Sequence, residues 1–139
     1  MDRLKRVAAE LGLPWGTRTR TFNSRHAQEL GKWAESLIRG DAFHLAVFQA
    51  YFVHGLNIGK ISVLADLAES VGLDGRLAEE VLAEGLFREA VDRDREYSRA
   101  CRITAVPTFL ADRRMVVGAQ PYEALEELVR AAGATLIRS

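Results

Sequence analysis

The sequence predicts an α+β protein that is mostly helical and has one β-hairpin towards its C-terminal end. Through most of the 139 residues, apolar side chains recur at the three- and four-residue spacing of amphipathic helices. Two short apolar runs, residues 103–110 and 115–117, then flank a polar turn at residues 112–114, which is the pattern of a hairpin. Pro121 follows the second run and favours the first turn of a closing helix.

The first predicted helix covers residues 2–11 and ends at Gly12. Its stripe of apolar side chains consists of Leu4, Val7, Ala8 and Leu11. Residues 17–21 then alternate between threonine and arginine, which indicates either a short strand or an extended connector, and the connector is favoured. We interpret the arginines there as solvated side chains, because no glycine-rich phosphate loop accompanies them.

The second predicted helix starts after an N-cap at Asn23 or Ser24 and stops at Gly40. Its inward-facing side chains are predicted to be Ala27, Leu30, Ala34, Leu37 and Ile38. Asp41 then caps a helix that carries the aromatic and apolar residues Phe43, Leu45, Phe48, Tyr51 and Phe52. Such a row at helical spacing is typical of a core, and a ligand platform is the less favoured alternative.

Two shorter helices and one longer helix are predicted before the hairpin. Ser62 is a candidate cap for the first of them, and Asp74 starts the second. The residues that the second short helix should bury are Leu77, Val81 and Leu82. The longer helix is predicted from residue 86 to residue 102, with Cys101 on its apolar side.

A proline lies inside the first apolar run of the hairpin. Pro107 has no N–H to give to a strand ladder, so it must lie outside a central strand. It either ends a loop before an edge strand or follows a cis peptide bond just ahead of the strand. The residues alone weigh these two alternatives equally.

Composition excludes several classes of function. Lysine plus arginine equals aspartate plus glutamate at 19 each, so nothing favours a nucleic-acid or anionic-membrane partner. No apolar run approaches the ~20 residues of a membrane span, and the charged N-terminus lacks the apolar core of a secretory signal. One cysteine allows no internal disulfide, and a cytoplasmic location is expected.

No residue set in the sequence predicts a catalytic or metal centre. His26, His44 and His54 lack metal-ligand spacing, so no metal is expected at them. There is no dinucleotide-binding glycine fingerprint or nucleophile elbow, and no cofactor is expected. Cys101 lies near a helix end, where the dipole opposes a thiolate, so we interpret it as a small buried hydrophobic residue.

Several motifs together resemble the DsbA-like thioredoxin-fold family, and most closely its FrnE-type branch, which is related to hydroxychromene-carboxylate isomerases. The motifs cover roughly residues 1–132 and agree in order and spacing with that branch. They are N-S-R-x-A at 23–27, the aromatic segment 43–52, N-I-G at 57–59, D-L-A-E-S-V-G-L at 66–73, V-P-T-F at 106–109 and G-A-Q-P-Y at 118–122.

The resemblance implies the C-terminal part of a thioredoxin-like fold with a helical insertion subdomain. Residues 1–22 would be a lead-in helix and connector, residues 23–102 the insertion, and residues 103–139 the thioredoxin-like hairpin and closing helix. The family's Cys-x-x-Cys half should precede residue 1. The chain is therefore expected to be a truncated oxidoreductase that is redox-inactive on its own, with no catalytic residue.

The resemblance also implies a substrate-docking site at Ala105, Val106 and Pro107. A cis bond before Pro107 would present this backbone to an extended peptide or a glutathione-like thiol compound. The alternatives are a non-catalytic peptide-binding or dimerisation module, or an enzyme completed by a separate cysteine-bearing segment. Because the hairpin would lack neighbouring strands, a homodimer covering the hairpin and its helix is expected.

Overall fold

The computed structural model describes residues 2–17 and 20–135. The protein is mostly helical with a small two-stranded sheet, and the predicted fold class is confirmed to that extent. In chain order the elements are α1 (Asp2–Glu10), α2 (Arg25–Ser36), α3 (Gly40–Phe48), a π-helical segment (Gln49–Val53), α4 (Ile61–Ser70), α5 (Gly75–Glu84), α6 (Arg88–Ala100), β1 (Thr108–Ala111), β2 (Arg114–Val117) and α7 (Tyr122–Ala131).

The chain forms two compact units, Met1–Arg93 and Asp94–Ser139, which we call unit 1 and unit 2. The two units are defined by how compactly their residues pack. The predicted domain boundaries after residues 22 and 102 stay a prediction. Of the predicted connector at residues 17–21, Arg18 and Thr19 lie outside the described residues, as do residues 136–139 of the predicted tail.

The core of unit 1 lies among α2, α3, α4 and α5. Leu30, Phe43 and Leu64 are fully buried at its centre. Burying a side chain of this kind stabilises the fold by roughly 1.5–3 kcal/mol. The predicted inward positions Ala27, Leu30 and Ala34 of α2 are confirmed as buried.

The boundary between α2 and α3 differs from the prediction. α2 ends at Ser36, and Ile38 takes a left-handed conformation with φ +57°. Gly40 does not end the helix but begins α3, where a Cβ atom would lie 2.7 Å from Cγ of Glu35. A glycine chosen for close packing looks the same in sequence as a glycine that ends a helix. Leu37 and Ile38 are consequently exposed rather than inward-facing.

The first residues of α4 and α5 can be compared with two further predictions, which concern helix caps. Oδ1 of Asp74 accepts a hydrogen bond from the N–H of Leu77 at 2.9 Å, so the predicted start of α5 is confirmed. Ser62 is wrong as a cap, because the N-cap of α4 is Lys60. Leu77 is exposed, against the prediction, because Ala78 takes the inward position one residue later.

Unit 2 contains the predicted hairpin and closing helix. β1 and β2 pair antiparallel with Thr108 opposite Val117 and Ala111 opposite Arg114. α7 packs on both strands through its inner side, where Leu128 is buried. Pro121 is the N-cap of α7, one position before its predicted place.

In the part of the chain that the structure describes, no helix combines the length and the apolar character needed to cross a bilayer.

Candidate functional site

Residues 105–107 form an exposed loop directly before β1, and we call it the 105–107 loop. Ala105, Val106 and Pro107 are all exposed, and Val106 keeps 89% of its surface accessible. The peptide bond between Val106 and Pro107 is cis. The structure therefore places the three predicted site residues together at the edge of unit 2, next to the hairpin.

Hydrogen bonds hold the loop on both sides of Val106. The hydroxyl of Thr108 donates to the carbonyl of Ala105 at 2.6 Å, and the N–H of Gly118 donates to the carbonyl of Pro107 at 2.8 Å. Within residues 2–17 and 20–135, the N–H and C=O of Val106 have no hydrogen-bond partner. Two backbone groups of opposite hydrogen-bonding character are thus presented on a fixed loop.

The strand that follows the loop has an open edge. β1 pairs with β2 on one side, and no other strand among the described residues pairs with it. An unpaired strand edge can accept an additional extended chain through main-chain hydrogen bonds. The 105–107 loop and β1 together therefore have the chemistry of a docking site for an extended backbone.

Cys101 lies just beyond the last residue of α6 and is half-buried, less deeply than the sequence suggested. Its thiol hydrogen-bonds with Tyr97, one helical turn earlier, and this contact raises the pKa of Tyr97 above its ordinary value. The sequence holds no second cysteine. Thiol–disulfide exchange through a resolving thiol therefore needs a cysteine from outside this sequence.

The three histidines are spread over unit 1. Nε2 of His44 lies 3.2 Å from Oε1 of Glu35, an exposed pair between α3 and α2. Among the described residues, no group of three or more histidine, cysteine, aspartate or glutamate side chains is arranged to hold a metal ion.

Sequence reasoning missed a charged network between α2 and α6. Glu29 is only 2% exposed, and its Oε1 accepts a hydrogen bond from Nε of Arg25 at 2.8 Å. Arg25 also donates to Oδ1 of Asp92 at 2.7 Å and to the carbonyl of Arg88 at 3.1 Å. The pKa of Arg25 rises because Asp92 and Glu29 accept its hydrogen bonds.

The network was only partly readable from the sequence. The four-residue spacing of Arg25 and Glu29 is a recognisable helical ion-pair signal. Neither the burial of Glu29 nor the contact with Asp92, 67 residues along the chain, has a local signature. Oε2 of Glu29 is buried and has no hydrogen-bond partner among the described residues.

The aromatic and apolar residues of α3 and the π-helical segment lie partly in the core and partly beside a surface cleft. Phe43 is buried, whereas Leu45 and Phe48 are exposed, so the predicted core role holds for only part of the set. Trp15 packs on Phe52 with ring centroids 5.4 Å apart, beside a cleft of about 290 Å³. A backbone hydrogen bond also joins the residue after Trp15 to the π-helical segment, because the N–H of Gly16 donates to the carbonyl of Phe52 at 2.9 Å.

The chain is similar to a described protein family, to a protein of Bacillus subtilis and to a solved structure from Streptomyces coelicolor. A family described as "DSBA-like thioredoxin domain" matches residues 1–130. An uncharacterized protein of Bacillus subtilis, YwbO, is 32% identical over 98 residues, which are 70% of this chain and 49% of YwbO. The crystal structure of a probable DsbA oxidoreductase from Streptomyces coelicolor is 29% identical with a TM-score of 0.85, and the match covers 99% of this chain and 61% of that one.

The matched proteins are longer than this chain. The chain spans about half the length of the curated relative (49%) and 61% of the solved structure.

Proposed function

The chain belongs to the DsbA-like thioredoxin family, and from this membership we propose that it is the peptide-docking part of a thiol–disulfide oxidoreductase. Within the family we assign it to the FrnE-type branch, on the motifs at residues 23–27 and 43–52. Support for the oxidoreductase class comes from the likeness to the probable DsbA oxidoreductase of Streptomyces coelicolor.

The observation that carries the proposal is the exposed backbone of Val106 beside the open edge of β1. The ligand is an extended peptide or a glutathione-like thiol compound, which also has a peptide backbone. Its C=O and N–H groups pair with the free groups of Val106, and further residues continue along β1. Recognition by main-chain hydrogen bonds tolerates many side chains, as a catalyst acting on varied proteins requires.

The chain is proposed to be redox-inactive on its own. Cys101 is half-buried directly after the last residue of α6, so a client disulfide has only partial access to its thiol. Exchange with a client disulfide also needs a resolving cysteine, which this sequence does not contain. A cytoplasmic location belongs to the proposal and rests on the single cysteine.

A titration with an extended peptide tests the docking site. Nuclear magnetic resonance should show saturable shifts in the amide signals of Ala105, Val106 and Thr108 on addition of a short unstructured peptide. The same peptide with N-methylated backbone amides is the matched control and should bind at least about tenfold more weakly, since methylation removes main-chain donors. Equal binding of the two peptides, or shifts confined to other residues, would refute docking through the backbone.

The same family membership leaves two other functions open. One is an enzyme completed by a separate cysteine-bearing segment, which the greater length of the relatives favours. The other is a non-catalytic peptide-binding or dimerisation module. An insulin-reduction assay separates them: the chain alone should be inactive, and addition of a separately produced segment that carries a Cys-x-x-Cys motif should create activity only for the completed enzyme.

A further inference from the structure

α1 carries an apolar stripe that the described part of the chain leaves uncovered. Leu4 is 58% exposed, Val7 39% and Leu11, which continues the last turn directly after α1, 67%. These residues are three and four positions apart, so they lie along one side of the helix. Of the α1 side chains that the structure describes, only that of Ala8 is buried.

A helix as short as α1 needs a packing partner. It has nine residues, whereas isolated helices below roughly 12–15 residues are marginal in water. In proteins most of the stability of such a helix comes from burial of its apolar face. The burial of Ala8 alone supplies little of it, so the exposed stripe marks a contact surface.

Most charges of α1 are arranged against its own dipole. Asp2 opens the helix, but Arg3, Lys5 and Arg6 follow it in the N-terminal half, and Glu10 is the last residue. A helix dipole favours the reverse order, with acidic groups at the N-terminal end and basic groups at the C-terminal end. Arg3 and Glu10 are seven residues apart, so they lie on the same side of the helix, next to Leu4 and Leu11.

We propose that α1 is a self-association surface on which α1 of a second copy packs in antiparallel orientation about a two-fold axis. This orientation places Arg3 beside Glu10 of the partner subunit, and the symmetry repeats the pair. The basic half of each helix then lies next to the negative end of the partner's dipole. A parallel pair would instead place like charges side by side, so the charge pattern selects the antiparallel dimer.

The contact extends beyond α1 itself. Ala8 lines the cleft described above together with Leu13, Leu45 and Phe48, and these last three side chains are exposed. A nine-residue helix alone is small for a stable interface, and the neighbouring apolar side chains enlarge the area that a second copy can cover. The homodimer expected from the sequence is thereby assigned to α1 in place of the hairpin, and it does not depend on the docking function.

Charge reversal of the full 139-residue chain tests the proposal. Size-exclusion chromatography with light scattering should give a dimer at micromolar concentration. Arg3→Glu and Glu10→Arg should each raise the dimer dissociation constant by about tenfold, because symmetry introduces each repulsive contact twice. The double variant restores both pairs with reversed sign and should return the dimer to the affinity of the unmodified chain.

Two further variants keep the test decisive. Ile38→Ser removes another exposed apolar side chain of unit 1 and should leave the dimer unchanged. Val117→Lys adds a charge to the exposed face of the hairpin and should also leave it unchanged. Circular dichroism confirms that each variant is folded. A monomeric unmodified chain, failure of the double variant to restore the dimer, or dissociation by Val117→Lys alone would overturn the proposal.

Discussion

At the scale of single residues, Arg25 neutralises the buried carboxylate of Glu29 and connects it to Asp92. Arg25→Met should lower the melting temperature, because it leaves a carboxylate buried without its cation. The double variant Arg25→Met/Glu29→Leu should melt higher than the single variant, since no unpaired charge remains. Thermal unfolding followed by circular dichroism measures both.

An exposed pair provides the control for that comparison. Arg76 and Glu80 have the same four-residue spacing, but both side chains are largely exposed. Arg76→Met should therefore change the melting temperature little. If Arg25→Met and Arg76→Met had equal effects, the burial of Glu29 would be irrelevant to stability.

Cys101 and Tyr97 make a second residue-scale prediction. The hydrogen bond with the thiol raises the pKa of Tyr97, so Cys101→Ala should bring that pKa back towards the ordinary tyrosine value near 10. A raised folded-state pKa stabilises the fold below the unfolded pKa, and this contribution disappears as pH rises through the folded pKa. Phenolate absorbance against pH measures the shift, with Tyr97→Phe identifying which transition belongs to this residue. An identical titration of the unmodified chain and Cys101→Ala would contradict it.

At the scale of secondary-structure elements, the first turn of α5 depends on one side chain. Asp74→Ala removes the acceptor for the N–H of Leu77 and should cost about 1 kcal/mol in the free energy of unfolding, measured by denaturant titration. Ser62→Ala is the matched control, because Ser62 lies inside α4 and does not cap it. Its effect should be only a few tenths of a kcal/mol. Equal losses would show that the cap is not the cause.

The elements that the sequence predicted well are those with local signals. The cap at Asp74 depends on residues within one turn, and the hairpin at residues 108–117 depends on two apolar runs and the turn between them. Gly40 was misread because the constraint on it comes from Glu35 in the preceding helix. Leu77 was misread because α5 is rotated by one residue relative to the predicted helix face, so that Ala78 lies in the core instead.

At the scale of the whole molecule, contacts between distant residues limited what could be predicted. Arg25 and Asp92 are 67 residues apart, so no window of sequence contains their ion pair. The exposed stripe of α1 has the same spacing as a buried one, and only the fold of residues 2–17 and 20–135 shows that nothing within them covers it. The 105–107 loop was located from motifs, because its residues sit beside a hairpin that has a strong local pattern.

The close backbone packing at Gly16 affects how a glycine at this position should be interpreted in related sequences. A Cβ atom at this position would overlap the carbonyl oxygen of Val53, so the backbone segments meet where no side chain fits. A glycine retained here in an alignment would record steric exclusion between two pieces of main chain. It should not be scored as part of a ligand-binding signature, even though it lies beside the tryptophan of an aromatic cleft.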